Sequence, residues 1–183
     1  ASMISRSSEN YLKSIFLLSE KGDTAVTTNS IAKKLNTRAS SVTDMIKKLM
    51  LKKLLNHEKY RGVILTTKGK KLATSIVRKH RLWETFLVDT LHFNWEEVHD
   101  VAEQLEHIKS DKLISFLDDF LGHPQFDPHG DPIPNSEGKF PKSNSIPLQK
   151  LVKGKEGIVM GVLQDSPAFL QFLNKIDVKL GNI

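Results

Sequence analysis

The chain has 183 residues, of which 39% are hydrophobic and none is cysteine. That is apolar content enough for a packed core, and it excludes a disulfide scaffold and any Cys-ligated zinc site. No apolar run approaches the roughly 20 residues a membrane helix needs, and the first residues carry no apolar signal core, so a cytoplasmic protein with no membrane partner is expected. The net charge of +6 conceals a polarity. Residues 28–81 hold 15 Lys and Arg against two acids, Asp44 and Glu58, whereas residues 82–183 hold nine against 16. A basic module suited to a polyanion therefore precedes an acidic one. The alternative, a solvated lysine-rich face, rarely reaches such a ratio.

In chain order, Ser7-Ser8-Glu9 starts a helix to about Glu20, with Leu12, Ile15, Phe16 and Leu18 as its apolar stripe, and Lys21-Gly22-Asp23 stops it. Thr28 to Leu35 reads as a short second helix, Asn36-Thr37-Arg38 as a turn, and Ala39 to Lys53 as a third helix. In that third helix Val42, Met45, Ile46, Leu49 and Met50 recur at helical spacing. Two short helices joined by a tight polar turn predict a helix-turn-helix. From Leu54 to Thr66, two apolar runs flank the tip Lys59-Tyr60-Arg61-Gly62, which predicts a β-hairpin, the wing of a winged helix. Thr67 is read as the cap of a long helix to about His92. Asn94, with Glu97 three residues on, is read as the cap of a helix from Trp95 to about Ile108, and Ser110 as the cap of one ending at Gly122. Six of the seven prolines lie between His123 and Pro147, which predicts a long loop. Beyond it, Gly154, Gly157 and Gly161 punctuate apolar runs such as Ile158-Val159-Met160, which predicts short strands of a small, incomplete barrel ending at Gly181-Asn182-Ile183. Ser166-Pro167 opens a short helix there.

A helix-turn-helix lays its second helix in the major groove. Ser40, Ser41, Thr43 and Asp44 offer that helix small polar groups for base edges and phosphates, and Lys47 and Lys48 follow to neutralise phosphates. Thr28, Thr37 and Arg38 join this candidate DNA-facing set, as do Lys59, Tyr60 and Arg61 at the wing tip. The alternative is a winged helix devoted to protein contacts.

The acidic half carries a second pattern. His80 and Glu84 stand at i and i+4, and His99, Glu103, Glu106 and His107 stand at i, i+4, i+7 and i+8, so each set occupies one helical face. Such nitrogen and oxygen donors suit manganese or iron(II) better than copper(I). Surface salt bridges beside Lys79 and Arg81 are the alternative. Glu103-Gln104-Leu105-Glu106-His107 misses the metalloprotease spacings, and no Gly-x-Ser-x-Gly, Walker A or Gly-x-Gly-x-x-Gly occurs, so no enzyme is expected. Trp83, Phe86, Leu87, Leu113, Phe116, Leu117 and Phe120 are candidates for a helical dimer face or for simple core.

From about Ser8 to Gly138 the sequence resembles the diphtheria-toxin-repressor family of iron- and manganese-dependent bacterial regulators, most closely its manganese branch. The stretches that carry the resemblance are Glu9-Asn10-Tyr11-Leu12, Glu58-Lys59-Tyr60-Arg61-Gly62, Arg78-Lys79-His80-Arg81-Leu82, Val98-His99-Asp100, Leu105-Glu106-His107, Ser110-Asp111 and Asp127-Pro128-His129-Gly130-Asp131-Pro132-Ile133-Pro134. The resemblance implies a mostly α protein in three parts. These are a winged helix-turn-helix DNA-binding domain (1–73), a helical dimerisation and metal-binding domain with the Pro-rich linker (74–145), and a partial SH3-like small β domain (146–183). It implies one metal site from His80, Glu103, Glu106, His107 and the side chain at position 10, and a second from Glu84, Asp127, His129 and an acid of the small domain, here Asp165, with His99 auxiliary. Position 10 is Asn, where the manganese branch carries Asp and the iron branch Met; Asn10 offers an oxygen without a charge. Glu103 stands where the iron branch has Cys, which favours the harder manganese. The implied protein is a homodimeric repressor of metal homeostasis that binds a palindromic operator in duplex DNA when loaded with Mn2+, or alternatively Fe2+. A winged-helix regulator sensing a non-metal ligand is the rival reading; thiol-based oxidation sensing is excluded by the absence of Cys.

Overall fold

The computed structural model describes residues 4–183. Ala1, Ser2 and Met3, the start read above as lacking a signal core, lie outside the described residues. The chain forms two compact units, Ala1–Val77 and Arg78–Ile183.

The first unit contains α1 (Arg6–Leu18), α2 (Thr28–Lys34), α3 (Ala39–Leu51), β1 (Leu55–Glu58), β2 (Gly62–Leu65) and the start of α4 (Thr67–Asp89). α1, α2 and α4 begin where a side chain satisfies one of their first free amides, whereas α3 has no such cap. Ser5 Oγ accepts from Ser8 N, and Thr27 Oγ1 from Ser30 N, each at 3.2 Å. At α4 the cap is Thr66 rather than Thr67. Thr66 Oγ1 accepts from Gly69 N at 3.0 Å, the third amide of the helix, which a cap reaches only from the position before the first turn. Leu12, Ile15, Ile31, Val42, Leu49 and Leu54 are fully buried and form the core.

The wing is an antiparallel hairpin in the register Leu55↔Leu65 to Glu58↔Gly62. Val26, just before α2, adds a rung to it by exchanging two backbone bonds with Val63, at 2.8 and 2.9 Å. Only glycine fits at position 62: its φ is +115°, and a Cβ there would lie 2.1 Å from the Val26 carbonyl oxygen.

The second unit contains the rest of α4, α5 (Val98–Leu105), α6 (Asp111–Phe120), the Pro-rich loop and α7 (Pro167–Lys175). Leu82, Trp83 and Leu87 of α4 pack with Val98 and Ala102 of α5, Ile114 and Leu117 of α6, and Ile133 of the loop. Trp83, Leu87 and Leu117 are therefore core and not a free face; Leu113, Phe116 and Phe120 of α6 remain exposed. Ser110 caps α6 as expected, its Oγ accepting from Leu113 N at 3.2 Å. Asn94 caps nothing. Residues 94–97 first close a turn, with Glu97 N donating to the Asn94 carbonyl at 3.0 Å, and the helix starts only at Val98.

The short strands expected from residue 146 onward are not present: among the described residues this segment has no strand. Ladder-like bonds in it include Val159 N to Asn182 O and Gly181 N to Val159 O, both 2.8 Å. Ile158 and Met160, expected on a strand, are more than half exposed, and the buried apolar residues of the segment are Leu170 and Leu173 of α7. Without a buried face or a paired neighbour, a short apolar run gains nothing from extending. Among the described residues, no helix is long and apolar enough to cross a membrane.

Candidate metal centre and nucleic-acid interface

The two helical faces picked out in the sequence meet. On α4, His80 Nε2 lies 3.0 Å from Glu84 Oε1, and His80 Nδ1 reaches across to Glu106 Oε2 at 2.6 Å. On α5, His99 Nε2 lies 3.4 Å from Glu103 Oε1. Glu106 and His107 directly follow the last turn of α5, where His107 Nε2 is 3.6 Å from Glu106 Oε1.

Glu84 is the hub. Its Oε1 is 3.6 Å from His99 Nδ1 and its Oε2 is 3.5 Å from His129 Nδ1. Two triads share it: His80, Glu84 and His99, and Glu84, Asp127 and His129. Each triad offers ligand atoms within 4.8 Å of one another. Asp165, implied as a ligand of the second set, approaches only the edge of the cluster, 4.0 Å from His99 Nδ1.

The loop half of the centre is held by its own geometry. Asp127 Oδ1 accepts from His129 N at 2.8 Å and from Asp131 N at 2.9 Å, an Asx turn that folds the carboxylate back beside the His129 ring. Arg81 Nε lies 3.8 Å from Asp127 Oδ2, and Arg81 also donates to the Pro132 carbonyl. Arg78 donates to the Pro134 carbonyl at 2.9 Å and pairs with Asp118 at 2.9 Å. The sequence reading treated Arg81 only as a salt-bridge neighbour. The signal it missed is the proline content of the loop: a segment short of N–H donors exposes carbonyls that need donors from elsewhere, and Arg supplies several in a rigid fork.

Burial and proximity set the charges. Burial alone would raise the Glu84 carboxyl, but His129, His80 and His99 around it hold it far below the usual carboxylate range. The carboxylates of Glu103 and Glu84 lift His99 to about 10. Burial pulls His129 down, yet Glu84 outweighs it and lifts the ring to about 9. Burial, then the charges of Glu84 and Asp131, push Asp127 up to about 7. Acids and rings this crowded need positive charge between them, from protons or from a cation. The His99 Nδ1 atom is buried and finds no hydrogen-bond partner among the described residues, while Glu84 stands 3.6 Å away. Nitrogen and carboxylate donors with no sulfur fit a divalent ion of intermediate hardness.

Asp118, Asp119 and His123 form another cluster, which the sequence reading did not single out. It lies mostly at the surface, and Asp118 is already engaged by Arg78 and by His123 at 2.9 Å.

In the first unit, α3 turns Val42, Ile46 and Leu49 inward, which leaves Ser40, Ser41, Thr43, Asp44, Lys47 and Lys48 exposed together. The Thr43 hydroxyl is occupied by the Ala39 carbonyl at 3.0 Å. Thr37 and Arg38 are exposed in the turn before α3, and Thr28 is half-buried at the start of α2. At the wing tip Tyr60 is 93% exposed, at φ +65°, with Lys59 Nζ 5.1 Å from its ring centre. Asn10, on α1, is half-buried and lines a groove with Tyr11, Thr37, Ser41 and Met45.

Residues 3–63 match the family model for the iron-dependent repressor N-terminal DNA binding domain, and residues 66–135 match that for the iron-dependent repressor metal binding and dimerisation domain. The chain is 37% identical over 126 residues to the iron-dependent repressor IdeR of Mycobacterium leprae, covering 69% of this chain and 54% of that protein. It is 34% identical over 148 residues to the diphtheria toxin repressor of Corynebacterium jeikeium, covering 79% of this chain and 61% of that one. The chain thus spans little more than half the length of these two relatives. A solved manganese-dependent transcriptional repressor in complex with manganese superposes with a TM-score of 0.85 at 38% identity, covering 95% of this chain and 80% of that one. The chain belongs to the iron-dependent repressor family, that of the diphtheria toxin repressor.

Proposed function

We propose that this protein is a metal-dependent DNA-binding repressor of metal homeostasis that answers to manganese, with iron(II) as the second reading. The observation that carries this is the buried carboxylate of Glu84, ringed by His80, His99 and His129 with Asp127 beside it, a donor set of nitrogen and oxygen alone. Glu103, Glu106 and His107 extend the set toward the end of α5. Asn10 as a further oxygen donor rests on the family resemblance, as does Asp165 in the second set. A bound divalent ion supplies the positive charge that lets these acids stand ionised together, which ties its binding to the folding of this unit. The chain's own residues do the rest. Arg81 and the Asx turn hold Asp127 and His129 in place, and the exposed polar face of α3 and the wing present themselves to duplex DNA.

The exposed Leu113, Phe116 and Phe120 of α6, with Phe86 packed edge-on against Phe120 at 6.1 Å, form our choice for a homodimer contact. A dimer matches a palindromic operator. The domain limits 1–73, 74–145 and 146–183 follow the shifts in charge and texture. We read the last as part of an SH3-like module, because Gly181 and Asn182 already pair with Val159. Manganese is favoured by the absence of sulfur donors and by the manganese-dependent repressor of similar fold. The charge and motif pattern favours a cytoplasmic regulator over an enzyme.

The test is fluorescence-anisotropy binding of the chain to a mixed pool of labelled duplexes at fixed salt, with Mn2+, Fe2+, Zn2+ or a chelator. Mn2+ is expected to tighten binding by about 5–150-fold, the usual span of an allosteric coupling. The variant carrying Glu103→Ala and Glu106→Ala should lose that gain while staying folded. Equal binding with metal and with chelator would overturn the reading, and a stronger response to Fe2+ would replace manganese by iron.

A further inference from the structure

The second triad is oriented from behind. His129 Nε2 lies 2.6 Å from the backbone carbonyl oxygen of Trp95. A carbonyl only accepts, so Nε2 carries the hydrogen and Nδ1 is the nitrogen left to face Glu84, 3.5 Å away. The Trp95 ring stacks on the same imidazole, with centroids 6.1 Å apart and planes 16° off parallel. The Trp95 indole in turn donates to Asn174 Oδ1 on α7 at 3.0 Å, and the Asn174 amide reaches the Glu96 carboxylate at 3.3 Å. The stretch before α7 docks on the same loop. Val162 N donates to the His129 carbonyl at 2.9 Å, and Gly130, at φ +86°, approaches so closely that a Cβ would lie 2.2 Å from the Met160 carbonyl oxygen.

We propose that Trp95 and Asn174 are positioning residues that relay the docking of α7 to the second triad, fixing which ring nitrogen of His129 faces a metal ion. The proposal rests on the metal-site reading above. Histidine ligands are ordinarily fixed by a partner on their other nitrogen, and loss of that partner typically lowers metal affinity by 10–100-fold. Here the partner is a carbonyl whose own residue is anchored by a helix 79 positions further on. The relay makes the state of the C-terminal segment a control on occupancy of one triad and not on the rest of the centre.

The experiment is calorimetric and electron-paramagnetic titration of the full chain with Mn2+ alone, the step belonging to the second triad being the one that Asp127→Ala abolishes. Trp95→Phe keeps a ring and the backbone carbonyl but removes the N–H, and Asn174→Ala removes its acceptor. Each is expected to weaken that step by about 10-fold or more and leave the remaining uptake unchanged, and the double variant should be no weaker than either single one. With chelator present, the Trp95 indole proton should lose its hydrogen-bonded shift and its exchange protection in Asn174→Ala. An unchanged Asp127-dependent step, equal weakening of all uptake, or additive losses would overturn the relay. A wild-type chain that binds no Mn2+ would instead sink the metal-site reading itself, and the relay with it.

Discussion

The two units place their polar residues in opposite ways. In the first, the residues read as functional, from Thr37 through Lys48 and from Lys59 to Arg61, point outward, and the core beneath them is aliphatic. In the second, His80, Glu84, Glu106, Asp127 and His129 are themselves buried. A surface built for phosphates can be altered without touching the fold, because solvated side chains contribute little to stability. A buried ring of acids and imidazoles cannot, because each member is the counter-charge of another. On the reading proposed above, one unit would recognise its partner with what the fold leaves over, while the other would do so with the fold itself. The chain's two tryptophans, Trp83 and Trp95, both lie in the second unit, so their fluorescence reports that unit alone and the comparison can be tested unit by unit.

The largest effect is expected from Glu84→Ala. Removing the hub leaves His80, His99 and His129 facing a void, and breaking a buried ion pair from one side costs about 3–5 kcal/mol. Denaturant titration of the metal-free chain, followed by tryptophan emission, should show the loss in the second unit, together with loss of Mn2+ uptake. A variant as stable as wild type would mean that Glu84 is no hub. Next comes Leu49→Ala, a fully buried leucine of the first unit, expected to cost about 2–5 kcal/mol. That loss should appear in far-ultraviolet circular dichroism and in DNA binding, with the tryptophan transition and Mn2+ uptake little changed. Equal shifts in both probes would show the two units unfolding as one.

A gentler change separates surface from core. The variant Lys47→Ala with Lys48→Ala should leave both transitions within about 0.5 kcal/mol of wild type. It should flatten the salt dependence of DNA binding by about two units of slope if both lysines neutralise phosphates. An unchanged slope would move the DNA interface off α3.

The smallest effect belongs to the pair of half-buried Asp118 and exposed His123. Burial works against the Asp118 charge, but His123 and Arg78 hold the carboxyl below its ordinary 3.8, and Asp118 raises His123 above its ordinary 6.5. The Asp118 contribution is present above pH 3.8 and fades as the pH falls through its depressed value. The His123 contribution is present below pH 6.5 and fades as the pH rises through its raised value. His123→Ala should therefore lower the melting temperature slightly near pH 5, and by less as the pH rises toward 10. A constant difference across that range would show that the contact is not ionic.

Much of this was legible in the sequence. Helical spacing in Val42, Ile46 and Leu49 located the inward face of α3, and so by subtraction its outward one, because local periodicity and burial carry the same information in an amphipathic helix. The spacings of His80 with Glu84 and of His99 with Glu103 likewise placed those pairs within reach before any fold was known. The caps at α4 and α5 were misplaced by one and three residues, since a hydroxyl or amide side chain three positions from an amide occurs at several registers and only backbone geometry selects one. The expected strands after residue 146 failed for a deeper reason: a strand is stabilised by its neighbours, and no run of apolar residues states whether those neighbours are in place.

By itself, then, the sequence determined the order of helices and hairpin, the basic surface and the residue types of the histidine and carboxylate cluster, because these depend on contacts within a few turns of chain. Only the tertiary structure decided that Glu84 is shared by two triads, that Arg78 and Arg81 clasp a proline-rich loop through its carbonyls, and that Trp95 stands between His129 and α7. Each of these joins residues dozens of positions apart in a buried setting, where direction and distance, and not residue type, decide whether two groups attract, repel or share a cation.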